Sequence, residues 1–194
     1  MLERIKKDLK CAYRHKVDRL NHVYGVRDTA LKLGKIHGAD LYQLELVSYL
    51  HDLTKYESLG FHIEWIRRYY DEAILDDFYD PLYHAYSASA IAQDTYNITD
   101  PDVLGAIEVH TVGKPNMSLL QKILFISDYI EPSRLYPSCV RVREIAFINL
   151  DQAVYEAIND SIQLYERTGG NIPRVAYEAR EYYQKRTGGH ACPK

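Results

Sequence analysis

Six side chains able to ligate a divalent metal ion are spread along the chain: His22, His51, Asp52, His84, His110 and Asp128. Neutral imidazole and carboxylate together form the ligand set for zinc, manganese, iron and similar ions. The adjacent pair His51-Asp52 means little alone, since roughly half an occurrence is expected by chance at this length and composition. A single histidine on an apolar helix face is also more often a packed, hydrogen-bonded core residue than a ligand. The question is whether several such positions share one explanation.

The apolar rows around them say that they do. His22 shares a row with Val26 and Leu33, and His51 continues Leu44 and Val47. His84 leads into Ala88 and Ile91, His110 follows Val103 and Ile107, and Asp128 follows Leu120 and Leu124. The 3.6-residue period directs each of these side chains toward the interior. A carboxylate among leucines costs several kcal/mol unless it is paired or metal-bound. No Arg or Lys lies on the Asp128 row to neutralise it locally. One shared metal site accounts for these core-directed polar positions together, and the lack of nearby cysteines sets it apart from structural Cys-rich zinc sites.

The other histidines lack that context. His15 and His190 lie in terminal segments, His37 ends a helix where it can cap carbonyls, and His62 follows Gly60-Phe61 in an expected loop.

The elements carrying these residues read as helices. Val23, Val26, Ala30, Leu33 and His37 recur at helical spacing, and Asp40 offers an N-cap for a helix through Leu50, with Gln43 as a weak capping-box partner. Asp100-Pro101 opens another helix. Further patterns run from about His84 to Tyr96, Met117 to Ile130, Leu150 to Arg167 and Val175 to Lys185. The expectation is an all-α bundle of about eight helices in a single domain, residues 1–194, with a core over about 15–135 and C-terminal helices over about 139–187.

Composition narrows the class. The chain has 194 residues, is 46% hydrophobic and 26% charged, and carries a formal net charge of -3. That balance gives no reason to expect a nucleic acid polymer or an anionic membrane as partner. No apolar run approaches the roughly 20 residues of a membrane helix, and the N-terminus lacks the apolar core of a secretory signal. Cys11, Cys139 and Cys192 form neither a disulfide framework nor a metal clip, so a reducing cytoplasm is the expected location. The segment from Thr187 to Lys194 reads as a frayed tail. The 18 tyrosines suit helix packing first, with one or two near the site available to a nucleobase.

In that order and on separate helical segments, these residues resemble an HD-domain hydrolase, and more narrowly the YqeK-type HD proteins of bacteria. The matching strings are His22-Val23-Tyr24-Gly25-Val26, Leu50-His51-Asp52-Leu53-Thr54-Lys55, His110 through Ser118, and Phe125 through Arg134. They lie within a resemblance that covers about residues 15–185. Lys114 stands where this family often has Arg, and Ser127 where it has a small residue such as Ala.

The resemblance implies a symmetrical dinucleoside tetraphosphatase that cuts diadenosine tetraphosphate into two ADP. It implies two divalent ions, commonly iron, with manganese, cobalt or zinc as other candidates. His22, His51, Asp52 and Asp128 would hold one ion, and Asp52 would bridge to a second held by His84 and His110. It also allows a homodimer. Such ions activate a water for attack on phosphorus. Lys55 is then the candidate to stabilise the leaving diphosphate, and Thr111, Gly113, Lys114 and Arg134 are candidates to bind the polyphosphate. Two other readings share the residues: an HD phosphohydrolase acting on nucleoside mono- or triphosphates, and a non-catalytic nucleotide-binding HD module.

Overall fold

The structure, a computed structural model, describes residues 1–188; His190, Cys192 and the last six residues of the expected tail lie outside them. The described residues form helices and connecting turns. In chain order these are α1 (Leu2–Ala12), α2 (Val17–His37), α3 (Leu41–Leu50), α4 (Leu59–Tyr69), α5 (Ala73–Asp77) and α6 (Asp80–Tyr96). They are followed by α7 (Pro101–Val109), α8 (Leu119–Ile130), α9 (Pro137–Ala146), α10 (Leu150–Thr168) and α11 (Arg174–Arg186). The all-α class is as expected, with more helices than the eight or so read from periodicity. Two of the additional ones have identifiable reasons: α5 is too short to display a period, and α4 carries Gly60 in its first turn.

Local chemistry sets several ends. Asp40 Oδ1 accepts from the Tyr42 and Gln43 N–H groups at 2.8 and 3.0 Å, as an N-cap should. Gln43 does not complete a capping box; its side chain reaches across to Asp100 Oδ2 at 2.9 Å. The complete capping box is at α8, where Ser118 and Gln121 each satisfy the other's backbone N–H, so this helix starts two residues later than Met117. Ser58 Oγ accepts the Phe61 N–H at 3.2 Å and so starts α4. His62 therefore sits on a helix, not in the expected loop.

At the centre, α8 packs against α2, α3, α7, α9 and α10. Its Leu120, Ile123 and Leu124 meet a core that includes Val26 and Leu33 of α2, Leu44 and Val47 of α3, and Val103 and Ile107 of α7, all buried. Helices α6 and α7 pack together, and α10 pairs with α9 and α11 on the other side of α8. Burial of these apolar rows is the main favourable term holding the ligand-bearing helices in place. No described helix is long and apolar enough to cross a membrane. Cys11 is exposed and Cys139 buried, both as free thiols. His37 does end α2, but its ring bonds the Ala146 carbonyl at the end of α9, at 2.8 Å, and not a carbonyl of its own helix; His15 is exposed.

Candidate metal centre

His22 comes from α2, His84 from α6 and Asp128 from α8, while His51 and His110 close the ends of α3 and α7. Asp52 begins the turn after α3, where the Lys55 N–H returns to the Asp52 carbonyl at 2.8 Å. The buried Tyr13 hydroxyl donates to the same carbonyl and fixes that peptide from the α1–α2 connection. Five helices thus deliver six side chains to one interior point.

Asp52 stands in the middle with its two oxygens divided. Oδ1 lies 3.2 Å from His84 Nε2 and 3.9 Å from His110 Nε2. Oδ2 lies 3.4 Å from His51 Nε2 and 3.7 Å from His22 Nε2. Two groups able to hold a metal ion follow, His22-His51-Asp52 and Asp52-His84-His110, with Asp52 common to both. Asp128 Oδ1 is 3.0 Å from His22 Nε2 and adds a second carboxylate on that side.

The imidazole tautomers agree with a cation site. Nδ1 faces the Ser48 carbonyl in His51, at 2.8 Å, and the Pro81 carbonyl in His84, at 2.9 Å. Nδ1 of His110 faces the Ile107 carbonyl at 2.6 Å, and Nδ1 of His22 faces Glu131 Oε1 at 3.1 Å. A carbonyl only accepts, so Nδ1 carries the proton and the bare Nε2 points inward. The Nε2 atoms of His22 and His51 are buried without a hydrogen-bond partner, and those of His84 and His110 face each other at 3.2 Å. The buried lone pairs of His22 and His51, which meet no donor, are unfavourable alone and suited to a cation, while the Lys55 ammonium lies 3.3 Å from His84 Nε2. The donor set fits two divalent ions.

Charge follows the same arrangement. Burial opposes the ionised form of Asp52, but His51 and His84 overcome it and hold the carboxyl well below its usual range. Asp128 behaves likewise, with Arg134 and His22 outweighing burial. Burial lowers the pKa of His51, yet Asp52 and Asp128 raise it above the usual value. For His110, burial and the neighbouring His51 and His84 push the pKa down to about 3.

The expected substrate-contact residues are placed less uniformly. Lys55 Nζ is 3.3 Å from both ring nitrogens of His84, lying against the imidazole, and burial lowers its pKa. Arg134 Nη2 is 2.9 Å from Asp128 Oδ1. A cleft of about 690 Å³ opens on this side, lined by Arg134, Thr111, His110 and Asp128, with Tyr136 and Tyr165 among its walls. Lys114 is half-buried and is not among the residues lining that cleft. Gly113 adopts φ +71°, which glycine takes without strain, and its N–H bonds the Val109 carbonyl at 2.8 Å. It shapes the turn, with its N–H already used.

Periodicity did not single out three contacts: Tyr13, Arg19 and Glu131. Arg19 Nη1 sits 2.7 Å from Asp52 Oδ2. All three act across long sequence separations, which no local pattern reveals. His62, at the end of the first turn of α4, bonds Ser87 Oγ at 2.8 Å and lines a smaller cavity of about 330 Å³ with Lys55 and His84.

Comparison with known proteins extends this picture. No protein-family model matches the chain. A symmetrical bis(5'-nucleosyl)-tetraphosphatase from Halalkalibacterium halodurans is 38% identical over 144 residues, 74% of this chain and 77% of that protein. One from Staphylococcus aureus is 35% identical over 160 residues, 77% of this chain and 82% of its own length. One from Bacillus subtilis is 35% identical over 144 residues, with 74% and 77% covered. Among solved structures, a Clostridium acetobutylicum protein described as a predicted HD superfamily hydrolase involved in NAD metabolism superposes with a TM-score of 0.85. That match has 31% identity and covers 96% of this chain and 98% of the other. Identity of this extent, on a shared helical frame, places the chain in the symmetrical bis(5'-nucleosyl)-tetraphosphatase family of HD-type hydrolases.

Proposed function

We propose that the chain hydrolyses diadenosine tetraphosphate at its central phosphoanhydride to give two ADP. The observation that carries this reading is the division of Asp52, with one oxygen toward His22 and His51 and the other toward His84 and His110. The sequence similarity to tetraphosphatases supplies the substrate.

In this reading His22, His51, Asp52 and Asp128 hold one ion, and Asp52, His84 and His110 hold the other, with iron as the metal at both. Paired divalent ions supply Lewis acidity, lowering the pKa of a water and taking up charge on a phosphoryl oxygen. The chain's own residues do the rest. Arg134 faces the cleft beside Asp128 and can take a phosphate in a two-pronged contact, while Thr111 offers a hydroxyl nearby. Lys55, on the opposite side of the centre against His84, is placed to stabilise the diphosphate that leaves. The cleft walls admit a nucleoside, with tyrosine faces available to a base. The whole chain acts as one HD unit, with α9 to α11 walling the cleft.

Product analysis after anaerobic loading with Fe2+ tests this. Two ADP per diadenosine tetraphosphate is the expected result; AMP plus ATP, or no cleavage by the metal-loaded protein, overturns it.

A further inference from the structure

Glu131, just past the end of α8, is a carboxylate with 2% exposure, and its position is built from several sides. Its Oε1 faces His22 Nδ1 at 3.1 Å. Its Oε2 accepts the Ser133 N–H at 2.8 Å, and the Ser133 hydroxyl donates to Oε1. The backbone of the same loop is clamped by Arg143, which donates to the carbonyls of Ile130, Glu131 and Arg134 at 2.7, 3.0 and 3.0 Å. Helix α2 comes close enough that a Cβ on Gly25 would fall 2.7 Å from Glu131 Oε2.

His22 thereby differs from the other three histidines of the centre. Theirs are the rings whose Nδ1 atoms face neutral backbone carbonyls three residues earlier in their own chain segment. Among the four, His22 is the one whose Nδ1 faces a carboxylate, from a residue 109 positions away, whereas the ionisable neighbour of the His84 ring is the cationic Lys55. A carboxylate accepting the Nδ1 proton fixes the tautomer, orients the ring and makes Nε2 a stronger electron donor than a carbonyl does. Among the described residues, Glu131 is the hydrogen-bond partner of His22 Nδ1, and none comes from α2 itself.

We propose that Glu131 is a positioning residue for one half of the metal centre, strengthening ion binding at the His22-His51-Asp52-Asp128 side over the His84-His110 side. This rests on the two-ion reading above. Its effect passes through His22, so it touches neither substrate nor ion.

The test is anaerobic titration of Fe2+ into the metal-free full chain by calorimetry, for wild type, Glu131→Gln and Ser133→Ala. Glu131→Gln keeps an acceptor for Ser133 and for His22 but removes the charge. It is expected to weaken one of two binding events roughly 10-fold or more, leaving the other within about threefold. Ser133→Ala removes the hydroxyl's hydrogen bond to the same carboxylate, keeps the one from the Ser133 N–H, and is expected to leave both events within about threefold. Equal binding by wild type and Glu131→Gln, or equal weakening of both events in both variants, overturns the proposal and would mark Glu131 as a loop brace only. Nitrogen NMR of His22 in metal-free wild type separates this from failure of the two-ion reading. The proton is expected on Nδ1 whether or not Fe2+ binds, and finding it on Nε2 overturns the positioning role by itself.

Discussion

Arg19 Nη1 lies 2.7 Å from Oδ2 of Asp52, the same oxygen that His22 and His51 face. The Arg19 side chain is 21% exposed and that of Asp52 only 4%, so the pair sits at the edge of the interior with its anion fully inside. A buried carboxylate needs compensation, and in the metal-free chain Arg19 supplies a full positive charge directly to it.

That relationship predicts a stability effect dependent on metal. Arg19→Ala should destabilise the metal-free protein by about 3 kcal/mol, the scale for breaking a buried pair. The metal-loaded protein should lose much less, because bound cations replace the compensation. Thermal unfolding of both forms decides it; an equal loss in the two would show that Arg19 acts through packing alone.

The metal-free protein should be most stable near pH 6.5. His110 has its folded pKa depressed to about 3, so between that value and about 6.5 the unfolded chain binds the extra proton and stability falls as pH falls. Asp52 and Asp128, both depressed, add to the loss below the ordinary carboxylate range. His51 is raised, so its contribution is complete below about 6.5 and is lost as pH climbs through its folded value. Chemical denaturation from pH 4 to 9 measures this. Stability that rises steadily through pH 8 contradicts the charge arrangement around His51.

Arg134 should separate substrate binding from metal binding. Its guanidinium pairs with Asp128 and lines the cleft. Arg134→Ala is expected to raise KM for diadenosine tetraphosphate roughly 10-fold or more, and Arg134→Lys to recover only part, since a lysine lacks the planar fork. Steady-state kinetics at saturating Fe2+ would show it. A KM unchanged in Arg134→Ala removes Arg134 from the polyphosphate site.

Gly25 and Gly60 should respond oppositely to alanine. Alanine in a helix is ordinarily favoured over glycine by roughly 0.5–1 kcal/mol. At Gly60 a Cβ meets nothing nearer than Ser58 Oγ at 4.0 Å, so Gly60→Ala should be neutral or slightly stabilising. At Gly25 the Cβ would fall 2.7 Å from Glu131 Oε2, so Gly25→Ala should lower the melting temperature and disturb the His22 contact. Equal melting shifts for the two would mean that α2 does not approach Glu131 this closely.

The sequence by itself determined the helical class and the inward direction of His22, His51, His84, His110 and Asp128. Both follow from a local rule: the 3.6-residue period fixes which face a residue occupies before any partner is known. It also marked the caps at Asp40 and Asp100, because a capping side chain bonds its own neighbouring N–H groups. Periodicity failed at α4, where Gly60 near the helix start masked the role of Ser58 and put His62 in a loop. What only the tertiary structure decided is how the helices meet. The separate facing of the two Asp52 oxygens, the Arg19 contact and the carboxylate behind His22 depend on residues brought together across separations of 33 and 109 positions in the two latter cases. Such contacts are set by packing of whole helices around α8, and no spacing within one segment encodes them.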